Sequence, residues 1–339
     1  MTAELQIDLR AIQQNWLSFP GAAAVIKADA YGLGAAPVAG TLYAAGCRHF
    51  FVAHLIEALP LRPLLPGAMI AVLNGLWPGD AARYAGQDIT PVLGSLEEID
   101  DWAGRGPAIL HVDTGMNRLG VSDLGQLTPE RLRGEWRFVM THLVSAEVPD
   151  DAMNAVQRDR FAAACALLPG VPVSFANSSG LFLGPDYASA LARPGAALYG
   201  VNPTPGRANP MRPVVTLRAR ILQIRTVPPG ATVGYNGAWI AARPSAIATV
   251  SVGYADGYPR ALGNRGAAIF DGQAVPLVGR VSMDLTTFDV TGTRAAPGDW
   301  LELIGPGMPV DEVARRAGTN GYEILTQLGR RYTRIYIGA

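Results

Sequence analysis

The chain has 339 residues, 49% hydrophobic and 17% charged, with 28 basic against 28 acidic residues. That length and composition describe a folded chain of one large or two ordinary domains and exclude a disordered one. The charge balance, with no basic tail or cluster, argues against nucleic acid or an anionic membrane as partner and for a small-molecule function. Only Cys47 and Cys165 are present, in no metal-ligand spacing, so neither a disulfide framework nor structural zinc is expected. "MTAELQIDLR" has early acidic residues and no apolar run of signal-peptide type, and no uncharged stretch has the make-up of a membrane span. A cytoplasmic protein is expected.

In chain order, apolar β-type runs fall at 23–28, 49–54, 69–74, 89–94, 108–113, 136–143, 172–177 and 190–195. Ala/Leu-rich helical stretches separate them, among them 95–105 and 150–168. Strands that alternate with helices and are apolar throughout imply a parallel sheet buried on both faces. Eight such units predict an N-terminal (β/α)8, TIM-like barrel over 1–210, with the first few residues available to pair with a C-terminal β domain. A doubly wound open sheet competes, but no GxGxxG follows the first strand. The proline-rich stretch 202–213 reads as the linker. From 211 to 339 the texture becomes short, alternating and β-branched, broken by "PPG", "DG" and "PGD" turns. A mostly antiparallel β domain is expected there, with 309–318 as its one clear helix.

In such barrels active sites form at the C-terminal ends of the strands, and phosphate commonly sits after the seventh and eighth. Those ends carry Lys27 and Tyr31, then Arg118, His142, the run Asn177, Ser178, Ser179, and finally Arg193 and Gly195. Lys27 is the only lysine in the chain; every other basic residue is arginine. Each member has an ordinary reading. A strand-end lysine can simply reach to water. His142 can be a hydrogen-bonded core residue, Arg118 and Arg193 ion-pair partners, and Ser178 a helix N-cap. Tyr254, at the end of an apolar strand in "SVGYADGYPR", reads as an interface tyrosine. The combination is more specific than its parts. A primary amine beside a phosphate cradle is what pyridoxal 5′-phosphate requires. Its aldehyde condenses with a lysine ε-amine, whereas a guanidinium stays protonated and cannot react so.

"AVIKADAYGLG", "VDTGMNRLG", "ANSSG", "RPGAALYG", "VGYADGYPR" and "GRVSMD", in that order and over nearly the whole chain, resemble the bacterial alanine racemase family of fold-type III pyridoxal phosphate enzymes. The resemblance implies racemisation of L- and D-alanine by two bases, in a head-to-tail homodimer whose β domain closes the partner's site. It implies D-alanine as a peptidoglycan precursor. It makes Lys27 the cofactor lysine and the base for the D-enantiomer, and Tyr254 of the partner subunit the base for the L-enantiomer. Arg118 and Met283 would meet the substrate carboxylate. Tyr31, Ser178, Gly195, Ala196 and Tyr322 would hold the phosphate, and Arg193 would face the pyridine nitrogen with His142 bonded behind it. Two positions depart from the pattern: His111 stands where many members carry a lysine, often carbamylated, and Glu147 where Asp is more usual. The rivals are a racemase of serine or broader range, a fold-type III decarboxylase and a non-enzymatic pyridoxal phosphate carrier. The decarboxylase would show a glycine triplet in the phosphate loop and a cysteine in the β domain. Here the loop reads ANSSG and both cysteines fall in the barrel half.

Overall fold

The computed structural model describes residues 2–338. The first strand, β1 (Ala3–Asp8), leads through the Asp8 N-cap, whose carboxylate accepts from Ala11 N at 2.8 Å, into the helix Leu9–Leu17. Seven parallel strands follow in strict chain order. They are β2 (Ala24–Val25), β3 (His49–Val52), β4 (Met69–Val72), β5 (Thr90–Leu93), β6 (Ala108–His111), β7 (Trp136–Met140) and β8 (Val173–Ser174). Their continuous apolar character has a direct cause. Phe51, Met69 and Ala71 point into a cluster inside the curled sheet, while Phe50, Ile70 and Val72 point outward beneath the helices. Of the expected helices, 95–105 forms as Leu96–Trp102, with Ser95 and Glu98 capping each other, and 150–168 forms as Ala152–Cys165, capped by Asp151.

The expected strand at 190–195 is not a regular strand. Pro194 has no N–H to give, so a continued ladder is impossible there. The segment still joins the two outer strands of the seven. Leu191 N and Arg193 N donate to Val173 O and Ala176 O at 3.2 and 2.8 Å, while Ala192 O and Pro194 O accept from Ala23 N and Val25 N at 2.9 and 3.1 Å. The result is a TIM-like barrel whose eighth stave is irregular.

The remaining strands are β9 (Val215–Val227), β10 (Thr232–Val233), β11 (Trp239–Ile240), β12 (Ser245–Val250), β13 (Ala267–Phe270), β14 (Gln273–Pro276), β15 (Thr286–Asp289), β16 (Trp300–Ile304) and β17 (Thr333–Ile337). The order β14-β13-β16-β9-β1-β17 makes the main sheet, antiparallel except for β1 against β17, and β12 and β15 extend from β9. The N-terminal strand therefore lies inside the C-terminal sheet, with Leu5 opposite Leu217. In β9, Val215, Leu217, Ala219 and Ile221 face the core, while Arg218 and Arg220 lie over Trp300 on the other face. The 309–318 helix forms as Val310–Ala317, but it is not alone. A second helix, Gly321–Gln327, is capped by Asn320, whose side chain accepts from Glu323 N. That helix carries Tyr322 towards the barrel mouth. Among the described residues no helix is long and apolar enough to cross a membrane.

Candidate active site

Lys27 stands two residues past β2, and the chain after it does something unusual. Ala28, Asp29, Ala30 and Tyr31 all have φ between 52° and 56°, a full left-handed turn built without glycine. Each such residue costs about 1–2 kcal/mol, because Cβ crowds the carbonyl oxygen. The turn is held from several sides. Glu57 Oε1 accepts from Ala28 N and Asp29 Oδ1 from Ala35 N, both at 2.7 Å. Gly32 closes the turn so near Leu325 O that a Cβ would lie 2.5 Å from it. This bracing throws Lys27 and Tyr31 towards the same cavity, of about 360 Å³, at the C-terminal end of the barrel.

Ser178, Gly195, Ala196 and Tyr322 line that cavity with Tyr31. Ser178 Oγ accepts from Gly195 N at 2.9 Å and Ala197 N at 3.2 Å, which leaves its O–H to donate elsewhere. It does not cap the following helical turn, whose N-cap position is Ser179; the first amide of that turn, Gly180 N, donates instead to Asn177 Oδ1 at 2.8 Å. A Cβ on Gly195 would sit 2.3 Å from Tyr31 Oη, so the glycine makes room for the phenol. Tyr31 packs on buried Tyr199, and burial raises its pKa, keeping the hydroxyl a neutral donor. The hydroxyls of Tyr31, Ser178 and Tyr322 beside the start of a helical turn suit a phosphate.

Arg193 is fully buried. Its guanidinium donates to Ser174 Oγ at 2.5 Å and to Thr141 O at 2.6 Å. The bond expected from His142 is not among its hydrogen bonds, and among the described residues no carboxylate pairs with it. Burial lowers its pKa to about 10, so it stays protonated in neutral solution. Burial and the charges of Arg193, Arg118 and Lys27 push His142 down to about 3; burial and Arg193 push His111 to about 4. Both imidazoles are neutral at pH 7, so His111 adds no charge of either sign behind Arg118. The unfolded histidines bind protons below about pH 6.5 and the folded ones do not, so stability falls as pH drops from 6.5 towards 4. Each contributes on the order of 2 kcal/mol of loss at pH 5. Replacing His142 with Asn should flatten the thermal midpoint against pH across that window; an unchanged slope would refute the assignment.

Lys27 has its pKa lowered by burial and by Arg118, with Glu57 opposing. Arg118 sits on a loop knotted by Asp113, whose carboxylate accepts from the amides of Gly115, Met116 and Asn117, each at 2.8 Å. It lines the cavity, and no carboxylate among the described residues pairs with it. Glu147 is the one acid in the lining, against Lys27, Arg118 and Arg193. Such a site is electropositive and fits a substrate carboxylate as well as a phosphate. Tyr254 and Met283 are elsewhere. They are 42% and 53% exposed, belong to the β domain and do not line this cavity.

Glu57, Ser174 and Thr141 escaped the sequence reading. The signal for the last two was a buried polar residue in an otherwise apolar strand run, which needs a partner. Nothing in the sequence marked Glu57.

Family models for the alanine racemase N-terminal and C-terminal domains match residues 7–203 and 214–336. The alanine racemase of Acidiphilium cryptum is 56% identical over 98% of both chains. The crystal structure of alanine racemase from Bartonella henselae with covalently bound pyridoxal phosphate superposes with a TM-score of 0.95, at 43% identity over 99% of this chain and 100% of that one. Alanine racemase from Bacillus anthracis with bound L-Ala-P has a TM-score of 0.88 at 29% identity, covering 99% and 95% of the two chains.

Proposed function

The chain belongs to the alanine racemase family, and from that premise we propose that it inverts Cα of alanine between two bases, Lys27 and Tyr254 of the partner subunit. It is an amino-acid racemase, and its cofactor is pyridoxal 5′-phosphate. The residues fit that group. Ser178, Gly195 and Tyr31, with Ala196 and Tyr322 beside them, would hold the phosphate, and the guanidinium of Arg193, which lines the same cavity, would serve the ring nitrogen. When bound, the cofactor supplies an aldehyde that a primary amine can hold and a conjugated ring that spreads the charge left at Cα.

The protein residues carry the rest. Arg118, with no carboxylate to neutralise it, orients the substrate carboxylate, aided by the backbone of Met283 of the partner subunit. Inversion requires a proton to leave one face of Cα and another to arrive on the opposite face. Lys27 Nζ exchanges it on the D face, and Tyr254 Oη of the partner subunit on the L face. Arg193 is too weak an acid to give a proton to the ring nitrogen. It therefore weakens the electron sink that transamination and decarboxylation need and leaves proton exchange as the favoured course. His142, neutral in this field, can accept or donate a hydrogen bond without adding charge.

A homodimer of shared sites is supported by what the β domain leaves exposed. Met283 shares a shallow surface pocket with exposed Tyr235 and Leu285, and exposed Tyr254 is bonded through its N–H to Ser282 O of that pocket, a partly apolar surface suited to a subunit interface. We place the enzyme in the cytoplasm, with its D-alanine available as a peptidoglycan precursor.

One observation carries this reading: the only lysine in the chain opens into the cavity that also holds the phosphate cradle and the buried arginine. The test is a chiral assay of the holoenzyme against a panel of L-amino acids. D-Alanine should form fastest, with serine and larger substrates slower; a panel in which alanine stays enantiopure would overturn the proposal.

A further inference from the structure

Tyr254 and Met283 stand on separate loops, yet their backbones are tied together. Tyr254 N donates to Ser282 O at 3.0 Å and Ala255 N to Met283 O at 2.9 Å. The approach is so close that a Cβ on Gly253 would lie 2.3 Å from Met283 O and 2.4 Å from Ser282 O. A single guanidinium then spans the two loops. Arg331 Nε donates to Asp256 Oδ1 at 2.6 Å, and its Nη1 to Asp284 Oδ1 at 2.8 Å. Asp256 is buried, and its second oxygen accepts from Gly253 N at 2.9 Å. Asp284 directly follows Met283. The segment that carries Arg331 is fixed in turn. Gly329 N donates to Asp256 O at 2.9 Å, and Gly257 lies so near Gln327 O that a Cβ would fall 1.9 Å from it.

We propose that Arg331 is a positioning residue. Through Asp256 and Asp284 it sets the placement of Tyr254 relative to Met283, so that the base and the carboxylate contact offered to the partner subunit form one rigid unit. The inference rests on the reading of Tyr254 as a base. A planar guanidinium with donors in fixed directions can hold two carboxylates at once, which an ammonium cannot do with the same geometry. An exposed ion pair alone adds little to stability, and Arg331 and Asp284 are both about half exposed. The bridge should therefore act mainly through the geometry of the two loops, where a displacement of about 1 Å can cost roughly 100-fold in rate.

The test compares Arg331→Met, Arg331→Lys and Tyr254→Phe holoenzymes. At saturating L- or D-alanine in D2O it follows deuterium uptake at Cα, with the thermal midpoint and solution mass of each variant. Arg331→Met should lose roughly 10- to 100-fold of uptake into L-alanine and keep uptake into D-alanine within about threefold, and lysine should restore only part of the loss. Asp284→Asn, which leaves buried Asp256 untouched, should raise KM for both enantiomers about three- to tenfold with kcat retained. Equal loss of both exchanges in step with a lowered midpoint, or no change in either exchange or KM, overturns the positioning role. Should Tyr254→Phe itself leave exchange from L-alanine intact, the base assignment fails and the inference falls with it.

Discussion

Lys27→Arg is expected to lose turnover by roughly 10⁴-fold or more and, with it, the visible absorbance of bound cofactor. Arginine keeps the charge and most of the length of lysine, so the variant isolates chemistry from electrostatics. A guanidinium stays protonated at any working pH; it can neither condense with an aldehyde nor take a proton from Cα. Burial and Arg118 already lower the pKa of the Lys27 amine below the ordinary lysine range, so more of it is the free base near neutrality than for a solvated lysine. The left-handed turn behind it, braced by Glu57, is unaffected by a side-chain change at 27, so misfolding is not expected to explain the loss. Absorbance spectra after dialysis and a racemase assay on the same preparation check both halves. A variant that keeps the band and the activity places the chemistry elsewhere.

Tyr254→Phe should bind cofactor normally and yet slow racemisation by roughly 10²- to 10⁴-fold, the usual range for a deleted general acid–base. The loss must appear in both directions. L- and D-alanine have equal free energies, so kcat/KM for the two enantiomers stays equal in any variant, and rates alone cannot say which face was disabled. Isotope exchange can. With Lys27 intact, D-alanine should still take up solvent deuterium at Cα and keep its configuration, while L-alanine should not exchange. Exchange lost equally from both enantiomers, with cofactor still bound, would count against Tyr254 as the base of the L face.

Much of this was legible in the chain, for identifiable reasons. The parallel strands announce themselves because both faces of residues such as Phe50 and Phe51 are buried, which forces continuous apolar runs. Lys27 stood out through its uniqueness, and the loops at strand ends through glycine, arginine and serine in fixed order. What escaped depends on contacts distant in sequence or on backbone states that the side chains do not advertise. Nothing in Ala28-Asp29-Ala30-Tyr31 marks a left-handed turn, since those residues ordinarily favour the right-handed helix or a turn. That the first residues would join the β domain was expected; that their partner is β9, some 200 residues away, was not, because alternation alone does not name a partner. Helix Gly321–Gln327 opens on glycine and is under two turns long, but Asn320 three residues before Glu323 was a readable cap. Arg193 was found while its partners were not. His142 looked the natural brace, and the small hydroxyl of Ser174, hidden in an apolar run, does that work together with Thr141 O.

The proposed site is built from two chains, and mixing two dead variants tests this directly. Lys27→Ala and Tyr254→Phe homodimers should each be nearly inactive. Unfolded together and reassembled with cofactor, they should form about half heterodimers, each with one intact and one doubly disabled site. Activity should then recover to roughly a quarter of the unmodified enzyme. No recovery, with heterodimers demonstrated by mass, would mean that Lys27 and Tyr254 do not meet across a subunit boundary.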